Sequence, residues 1–152
     1  MNVQDLPIVD TVTDLPFNNK GSLLHDLASR AAATLSIDEK AIFRALLQRE
    51  EVGSTGVGGG VAIPHARLEQ VKRPFGIMAR LKAPIDFNAI DGLPVDLVCL
   101  LLLSKQNEAE QLHALAAVSR RLRNPEVVAE LRRAPNRVIL YNVLVGRQGP
   151  SR

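Results

Sequence analysis

Three histidines are the side chains best suited to nucleophilic or proton-transfer chemistry in this chain of 152 residues. His65 ends an apolar run and follows Ile63-Pro64, where the proline fixes its own backbone and pushes the residue before it into an extended conformation. Its imidazole is therefore expected on a conformationally restricted backbone, at the point where the chain leaves a strand. His25 lies opposite the apolar stripe of a helical segment, which predicts a solvated side chain. His113 lies at the rim of another apolar helical face, which fits either a partly buried structural residue or one that reaches a neighbouring group.

A glycine-rich segment precedes His65. Five of the ten glycines fall within the eight residues Gly53 to Gly60. A phosphate-binding P-loop would need a strand before it and a lysine at its end, and a nucleophile elbow would need glycine where Val52 stands. Two interpretations stay open. The segment is a flexible surface loop, or its backbone N–H groups approach an anion with the hydroxyls of Ser54 and Thr55 as further donors.

Arg49 closes the helix before that segment, so its guanidinium could meet an anion held there. A solvated charge at a helix C-terminus is the structural alternative. No third and fourth ligand with suitable spacing accompanies the histidines, so a metal site is not expected. The residues that remain favour nucleophilic or phosphoryl chemistry at one imidazole, with a second imidazole and an arginine nearby.

The composition is that of an ordinary globular protein, with 46% hydrophobic and 23% charged residues and a net charge of +3. A lone cysteine excludes an internal disulfide framework, and Cys99 lies in an apolar run that predicts a buried, inert thiol. The longest such run, Leu97–Leu103, is far shorter than the roughly 20 residues that span a bilayer. Met1–Asp14 has no signal-peptide pattern, and the expected compartment is the cytoplasm.

Hydrophobic periodicity and capping residues predict an α/β layered domain over residues 1–152, with flexible ends at 1–7 and 146–152. The strand order is not readable, and residues 138–145 fit a helix or a strand equally well. In the first half of the chain we predict a strand at Ile8–Thr13, a helix from Ser22, its N-cap, to Leu35, and a helix from Ser36, which forms a capping box with Glu39, ending before Gly53. In the second half we predict strands at Phe75–Leu81 and Val95–Leu103 with a hairpin-type turn at Asp91-Gly92, a helix at Glu108–Arg123, and a short helix from Pro125. The apolar positions of the helix at Glu108–Arg123 are Leu112, Leu115, Ala116, Ser119 and Leu122.

Three motifs follow one another along the chain. They are Arg49-Glu50-Glu51-Val52-Gly53-Ser54-Thr55-Gly56-Val57-Gly58-Gly59-Gly60-Val61-Ala62-Ile63-Pro64-His65, the segment Pro84–Val98, and Leu112-His113-Ala114-Leu115-Ala116-Ala117-Val118-Ser119-Arg120-Arg121-Leu122. In this order they resemble the phosphotransferase-system IIA proteins of the fructose/mannitol type, and within them most closely the nitrogen-regulatory branch. Any one motif alone would be weak, whereas the ordered combination over roughly residues 8 to 134 is specific. The chain departs from the family at Ala66-Arg67, where Gly-Lys is frequent, and at Gly59.

The resemblance implies a single domain with a mixed β-sheet flanked by α-helices on both faces. It also implies a cytoplasmic phosphocarrier that is phosphorylated on His65, with His113 as the second active-site histidine and with Arg49, Ser54 and Thr55 lining the phosphoryl site. No cofactor, nucleotide or metal is required, and no turnover of a small molecule is expected. The implied partners are an upstream histidine phosphocarrier and regulatory targets such as potassium-transport or sensor-kinase proteins.

Two other functions stay open at this point. The first is a sugar-specific IIA component that passes its phosphoryl group to a IIB domain during uptake. The second is a nucleic-acid-binding regulator, suggested by six arginines between Arg120 and Arg137. Only 3% of the residues are aromatic, no nucleic-acid-binding motif is present, and acidic residues are interspersed. These observations favour a solvated helix face, so neither nucleic-acid binding nor membrane insertion is expected.

Overall fold

Residues 6–147 are described by the computed structural model, and they form six strands and five helices. In chain order these are β1 (Ile8–Leu15), α1 (Lys20–Leu35), α2 (Glu39–Val52), β2 (Gly56–Gly58), β3 (Val61–Ala62), β4 (His65–Leu68), β5 (Phe75–Ile85), β6 (Val95–Ser104), α3 (Glu108–Leu122), α4 (Pro125–Arg133) and α5 (Arg137–Val145).

The six strands form one sheet in the order β1-β5-β6-β3-β2, and β4 also pairs with β6. Strand β6 is antiparallel to β5 but parallel to β3 and β4, while β1 is parallel to β5 and β2 is antiparallel to β3. The predicted mixed sheet is therefore confirmed. Strand β6 is buried along almost its whole length because helices cover both of its faces, as its nearly continuous apolar sequence requires.

Two hydrophobic clusters lie on opposite faces of the sheet, which confirms the prediction of helices on both sides. Helices α1 and α2 cover one face with side chains such as Leu27 and Leu46. Helices α3, α4 and α5 cover the other with side chains such as Val118 and Leu131. Cys99 belongs to the second cluster, and its complete burial raises the pKa of the thiol to about 12. The thiol is thus protonated at neutral pH, as the prediction of an inert cysteine requires.

Two predicted helix starts are wrong. Helix α1 begins at Lys20 rather than near Ser22, because the Asn19 side chain accepts the backbone N–H of Ser22 at 2.8 Å and so takes the N-cap role. Ser36 does not cap α2. It closes α1 in the left-handed conformation (φ 56°), which is incompatible with the extended backbone of an N-cap, and Asp38 caps α2 instead.

Helix α3 lies where it was predicted, and Leu115 and Leu122 face the core as expected, but the rest of its buried face is shifted. Its buried residues include Gln111, Ala114 and Val118, whereas Leu112 is 49% exposed and Ala116 is exposed. The Gln111 Oε1 atom accepts the backbone N–H of Ser104 at 2.8 Å, at the end of β6. This hydrogen bond holds the Gln111 side of the helix against the sheet. Leu112 and Ala116, which periodicity alone predicts to be buried, are exposed as a result.

The remaining elements agree with the sequence or resolve what it left open. Residues 137–145 form helix α5, capped by the Asn136 side chain. Pro125 opens α4, and a turn closes at Gly92, whose N–H donates to Ala89 O at 2.9 Å, within a nine-residue connection from β5 to β6. Most of the predicted flexible ends, residues 1–5 and 148–152, lie outside the described residues. Within 6–147 no helix is long and apolar enough to cross a membrane.

The glycine-rich segment is only partly a loop, because Gly56–Gly58 forms β2 and pairs with β3. Gly60 ends the turn between these strands at φ +80°, and its carbonyl accepts the N–H groups of Asp96 and Leu97. A Cβ atom at this position would overlap the guanidinium of Arg132, which donates to Gly59 O at 2.8 Å and to the Asp96 carboxylate.

We expect Gly60→Ala to lower the free energy of unfolding by about 2 kcal/mol, because it adds both left-handed strain and a displaced Arg132. Denaturant titration measures this change. Gly53→Ala is the control, because its backbone is extended and nothing lies within 4 Å of its Cβ position. Equal losses in the two variants would contradict the packing of Arg132 described above.

Candidate active site

His65 begins β4, on a strand that continues β3 past a proline. Val61 faces Leu97 of β6 and His65 faces Leu101, so the register is the same before and after Pro64. Pro64 has no N–H to donate, but its carbonyl accepts the N–H of Leu101 at 2.9 Å. The interruption therefore leaves the strand in place, and His65 is held beside the buried centre of the sheet.

The orientation of the His65 ring is fixed by its own backbone. The Nδ1 atom lies 2.8 Å from the carbonyl oxygen of Ile63. A carbonyl can only accept, so Nδ1 carries the proton and Nε2 keeps its lone pair. Ile63 is held in turn, because its N–H donates to Thr55 O at 3.0 Å. Nε2 is therefore the nucleophilic nitrogen of this ring.

Two arginines share a surface depression with His65. The depression has a volume of about 310 Å³ and is lined by Ala45, Gln48, Arg49, His65, Ala66 and Arg67. The structure thus brings together the predicted pair, Arg49 and His65, and adds Arg67 as a second cation. Arg49 donates from Nη1 to the Gly53 carbonyl at 2.7 Å, and Arg67 lies 3.5 Å from Glu108 of α3. A shallow, cationic depression of this kind suits an anion that arrives from outside.

The pKa of His65 lies below its usual value of 6.5. Partial burial is the largest cause, because desolvation disfavours the imidazolium, and the charges of Arg49 and Arg67 act in the same direction. The hydrogen bond to Ile63 and the carboxylate of Glu50 oppose the shift. The ring is consequently neutral at neutral pH, as a nucleophile must be.

The lowered pKa predicts how the nucleophilic reactivity of this ring depends on pH. The reactivity of Nε2 should be constant at neutral pH and should fall only as the pH drops through a value below 6.5, where the ring becomes protonated. Arg67→Gln should move this fall to higher pH, because it removes one of the charges that disfavour the imidazolium. Ring titration by NMR, together with the rate of reaction of the ring over a pH series, measures both effects. An Arg67→Gln ring that titrates at or below the wild-type value would contradict the assignment.

The hydroxyls of Ser54 and Thr55 make internal hydrogen bonds, and neither residue is among those that line the depression. Ser54 Oγ donates to the Phe87 carbonyl at 2.6 Å and accepts the N–H of Gly56. Thr55 donates both its hydroxyl and its N–H to the carboxylate of Glu50. These bonds hold the segment that follows Arg49. Binding of a phosphoryl group by either hydroxyl stays a prediction.

Glu50 and Lys20 form a largely buried ion pair that the sequence patterns did not predict. Lys20 Nζ lies 2.8 Å from Glu50 Oε1, and their side chains are 19% and 6% exposed. Lys20 also donates to the Phe87 carbonyl at 3.3 Å and lies 4.6 Å from the centre of the Phe87 ring. The sequence does contain a pattern that predicts burial of Glu50, because Glu50 follows Ile42 and Leu46 at four-residue intervals on the buried face of α2.

His113 lies on α3 with an exposed side chain rather than a half-buried one, and it is not among the residues that line the depression. The contact between Arg67 and Glu108 does place the first turn of α3 beside β4. Side chains alternate between the two faces of a strand, and Ala66 and Leu68 of β4 pack on the α1–α2 side of the sheet. His65 and Arg67 therefore leave β4 on the opposite face, which is the face that α3 covers. The role of His113 stays a prediction.

The other polar candidates do not form a second reaction centre. His25 is 61% exposed, as predicted, and its ring lies edge-on to Phe43. The N–H of Gly59 does meet an anion, but it is the carboxylate of Asp91, at 2.9 Å. In the part of the chain that the structure describes, no three His, Cys, Asp or Glu side chains are grouped to hold a metal ion.

Several proteins of known sequence are similar to this chain over most of their own length. A nitrogen regulatory protein of Bradyrhizobium diazoefficiens is 43% identical over 145 residues, which cover 91% of this chain and 95% of the relative. The nitrogen regulatory protein of Escherichia coli is 38% identical over 132 residues, covering 86% and 81%. A fructose-specific EIIA component of Haloferax volcanii is 33% identical over 150 residues, covering 92% and 96%.

Solved structures agree with the fold. The crystal structure of the nitrogen regulatory protein IIA-Ntr from Neisseria meningitidis superposes with a TM-score of 0.87 at 28% identity, covering 93% of this chain and 98% of that one. Mannitol IIA of Escherichia coli, in its complex with phosphorylated IIB, shares the fold with a TM-score of 0.75 at 16% identity, covering 90% and 94%. The family model of the phosphoenolpyruvate-dependent sugar phosphotransferase system, EIIA 2, matches residues 8–145. The chain therefore belongs to the EIIA 2 family of the phosphotransferase system.

Proposed function

We propose that the chain is a cytoplasmic phosphocarrier that accepts a phosphoryl group on Nε2 of His65 and regulates partner proteins by its phosphorylation state. The observation that carries this proposal is the hydrogen bond from His65 Nδ1 to Ile63 O, because it leaves Nε2 nucleophilic in a depression with two guanidinium groups. Membership in the EIIA 2 family supports the same chemistry.

The transfer takes place between two imidazoles. The lone pair of His65 Nε2 forms a bond to phosphorus while the nitrogen–phosphorus bond of the donor's phosphohistidine breaks and its electron pair stays on the donor ring. Phosphoryl transfer passes through a loose, in-line transition state, so the site mainly positions the reactants and balances charge. The His65 ring gains positive charge as it reacts, and the Ile63 carbonyl stabilises this charge through the Nδ1 proton.

The two arginines supply the complementary part of this electrostatic scheme. Arg49 and Arg67 line the depression and can face the phosphoryl oxygens, which a guanidinium binds through paired N–H donors. His113 would assist from α3, and the hydroxyls of Ser54 and Thr55 would line the site. Each of these groups acts on charge or position, and Nε2 of His65 is the only atom that forms a covalent bond.

The phosphorylation state is a signal because it changes the charge at one exposed edge of the sheet. A phosphoryl group adds nearly two negative charges to a depression that is otherwise cationic. A partner that docks over this surface therefore meets positive charge in the unphosphorylated chain and added negative charge in the phosphorylated chain. Relatives named nitrogen regulatory proteins favour the regulatory branch, in which potassium-transport proteins and sensor kinases are the expected targets. The upstream partner is a histidine-containing phosphocarrier.

A sugar-specific role is the second candidate. The fructose-specific EIIA component of Haloferax volcanii matches nearly the whole chain at 33% identity. In this role the phosphoryl group would leave His65 for a IIB domain during sugar uptake. The site described above serves either role, because both begin with the same transfer to Nε2. The two roles differ in the protein that donates and in the protein that receives.

The test is incubation with phosphoenolpyruvate and either the nitrogen-branch or the sugar-branch upstream proteins, followed by mass spectrometry of the intact chain and of its peptides. We expect one phosphoryl group on His65 and faster labelling by the nitrogen-branch donors. Faster labelling by the sugar-branch donors, with onward transfer to a IIB domain, would support the second candidate. Absence of labelling by both sets of donors would reject both roles.

A further inference from the structure

A continuous series of hydrogen bonds joins the buried ion pair of α1 and α2 to the ring of His65. The Lys20 ammonium meets the Glu50 carboxylate at 2.8 Å. That carboxylate accepts the N–H and the hydroxyl of Thr55. The Thr55 carbonyl accepts the N–H of Ile63 at 3.0 Å, and the Ile63 carbonyl accepts Nδ1–H of His65 at 2.8 Å. Each contact lies between groups that the fold holds close together.

We propose that Glu50 is a positioning residue for His65, acting through Thr55 and Ile63 to fix the tautomer and the direction of the reacting nitrogen. The proposal rests on the function proposed above, and it assigns to Glu50 no contact with the phosphoryl group. Its closest counterpart in general enzyme chemistry is the buried carboxylate that orients a catalytic imidazole, here acting through two peptide units rather than directly.

Burial explains why this carboxylate can direct the segment. The Glu50 side chain is 6% exposed, so its oxygens rely on protein donors: the Lys20 ammonium and the two donors of Thr55. Hydrogen bonds to a charged acceptor are stronger than those between neutral groups. Thr55 is itself 3% exposed, and its backbone is thus held at both its N–H and its carbonyl.

The hydrogen bonds from Glu50 through Thr55 determine the position of Ile63. Pro64 cannot donate, so the pairing of this strand with β6 continues through the Pro64 carbonyl rather than through an N–H. Ile63 is tied to Thr55 on its N–H side and to the His65 ring on its carbonyl side. A shift of Thr55 would therefore move the acceptor that holds Nδ1, and with it the line along which Nε2 attacks. Misplacement of a reacting group by about 1 Å can lower a rate by roughly 100-fold.

The charge of Glu50 also acts on His65 across space. The carboxylate favours the imidazolium and so raises the pKa of His65, against the lowering by Arg49, Arg67 and burial. Removing the charge should therefore lower the pKa of the ring further. A loosened or hydrated site would do the opposite and let the pKa return toward 6.5, because burial is the largest cause of the lowering. The sign of the change separates the two explanations.

The experiment compares Glu50→Gln with Glu51→Gln, a matched control that removes the same charge from the exposed neighbouring residue. Ring nitrogen and carbon shifts of His65 are followed by NMR as the pH is varied, in the unphosphorylated chain. We expect Glu50→Gln to lower the pKa of His65 and to reduce the fraction of the Nδ1–H tautomer, and Glu51→Gln to leave both close to wild type. Unchanged tautomer and pKa in Glu50→Gln, or a pKa that rises, would overturn the proposal.

Single-turnover acceptance from the upstream phosphocarrier gives the second readout. We expect Glu50→Gln to lower the maximal rate by roughly 10- to 100-fold with little change in the donor concentration needed for half-maximal rate, because the Glu50 side chain is only 6% exposed and offers little surface to a donor. A loss confined to donor affinity would count against positioning. If the wild-type chain were not phosphorylated at all, the proposed function would fail, whereas the NMR titration would still decide the role of Glu50.

A folding defect would not leave the question open. Glu50→Gln leaves the Lys20 ammonium without its carboxylate, which can destabilise the chain. The double variant Lys20→Met/Glu50→Gln removes both charges and keeps the side-chain volumes similar. It should fold, and it should show the same change in the His65 tautomer as Glu50→Gln alone. A wild-type tautomer in the double variant would show that the carboxylate does not position His65.

Discussion

Replacing His65 with glutamine should abolish phosphoryl acceptance, whereas replacing His113 with glutamine should only slow it. Glutamine keeps much of the side-chain volume but has no nucleophilic nitrogen, and His65 is the only histidine among the residues that line the depression. His113 lies on α3 with an exposed side chain, so its effect is expected through charge and docking rather than through the covalent bond. Mass spectrometry after incubation with donor measures both variants.

The control for this comparison is His25→Gln. His25 is exposed on α1, away from the depression, so its replacement should leave the labelling rate unchanged. Circular dichroism and denaturant titration show whether each variant keeps the fold. Full labelling of His65→Gln would remove the assignment of the nucleophile, and complete loss of labelling in His113→Gln would show that the phosphoryl group depends on both rings.

Replacing Arg49 with glutamine should lower the rate of acceptance by about 100- to 1,000-fold, with Arg49→Lys in between. Its guanidinium lines the depression beside His65 and donates one hydrogen bond to the Gly53 carbonyl, which leaves further N–H donors for the oxygens of a phosphoryl group. Loss of a donor directed at developing charge typically costs a factor of this size. Lysine restores the charge but not the paired donors. Single-turnover kinetics with phosphorylated donor measure the rates.

Arg44→Gln is the matched control, because Arg44 is exposed on the same helix and does not line the depression. It should accept the phosphoryl group at nearly the wild-type rate. A similar loss in Arg44→Gln and Arg49→Gln would indicate that net charge steers the donor to this face and that Arg49 has no particular role at the phosphoryl group.

Local sequence patterns were sufficient for the elements with strong periodicity and too weak for the boundaries between them. The apolar run of β6, the start of α4 at Pro125 and the extent of α3 follow from propensity and burial. The start of α1 does not, because both Asn19 and Ser22 offer a capping side chain there and Asn19 takes the role. The cap of α2 does not, because Ser36 and Asp38 are both available in the connection between the two helices and its geometry decides between them. The inward face of α3 depends on the contact between Gln111 and Ser104, which connects two elements.

The candidate site was predictable where neighbouring residues in the sequence determine its geometry. Pro64 restricts the backbone before His65, and Arg49 immediately precedes the glycine-rich segment. The sequence was therefore sufficient to predict that His65 and Arg49 lie together. The acceptor for Nδ1 could not be named, because the carbonyl that the ring reaches depends on the conformation that Ile63-Pro64-His65 takes in the folded chain. Glu50 was missed for a similar reason. Its partners come from α1 and from the segment after α2, and only packing shows that Lys20 neutralises it.

The most direct test of the central claim is the position of the phosphoryl group on the phosphorylated chain. Phosphorus and ring-nitrogen NMR, with the chain labelled at histidine, identify both the residue and the nitrogen that carry it. The hydrogen bond from Nδ1 of His65 to Ile63 predicts a single phosphohistidine with phosphorus on Nε2 of His65. Phosphorus on Nδ1 of His65, or on His113 in the wild-type chain, would contradict it.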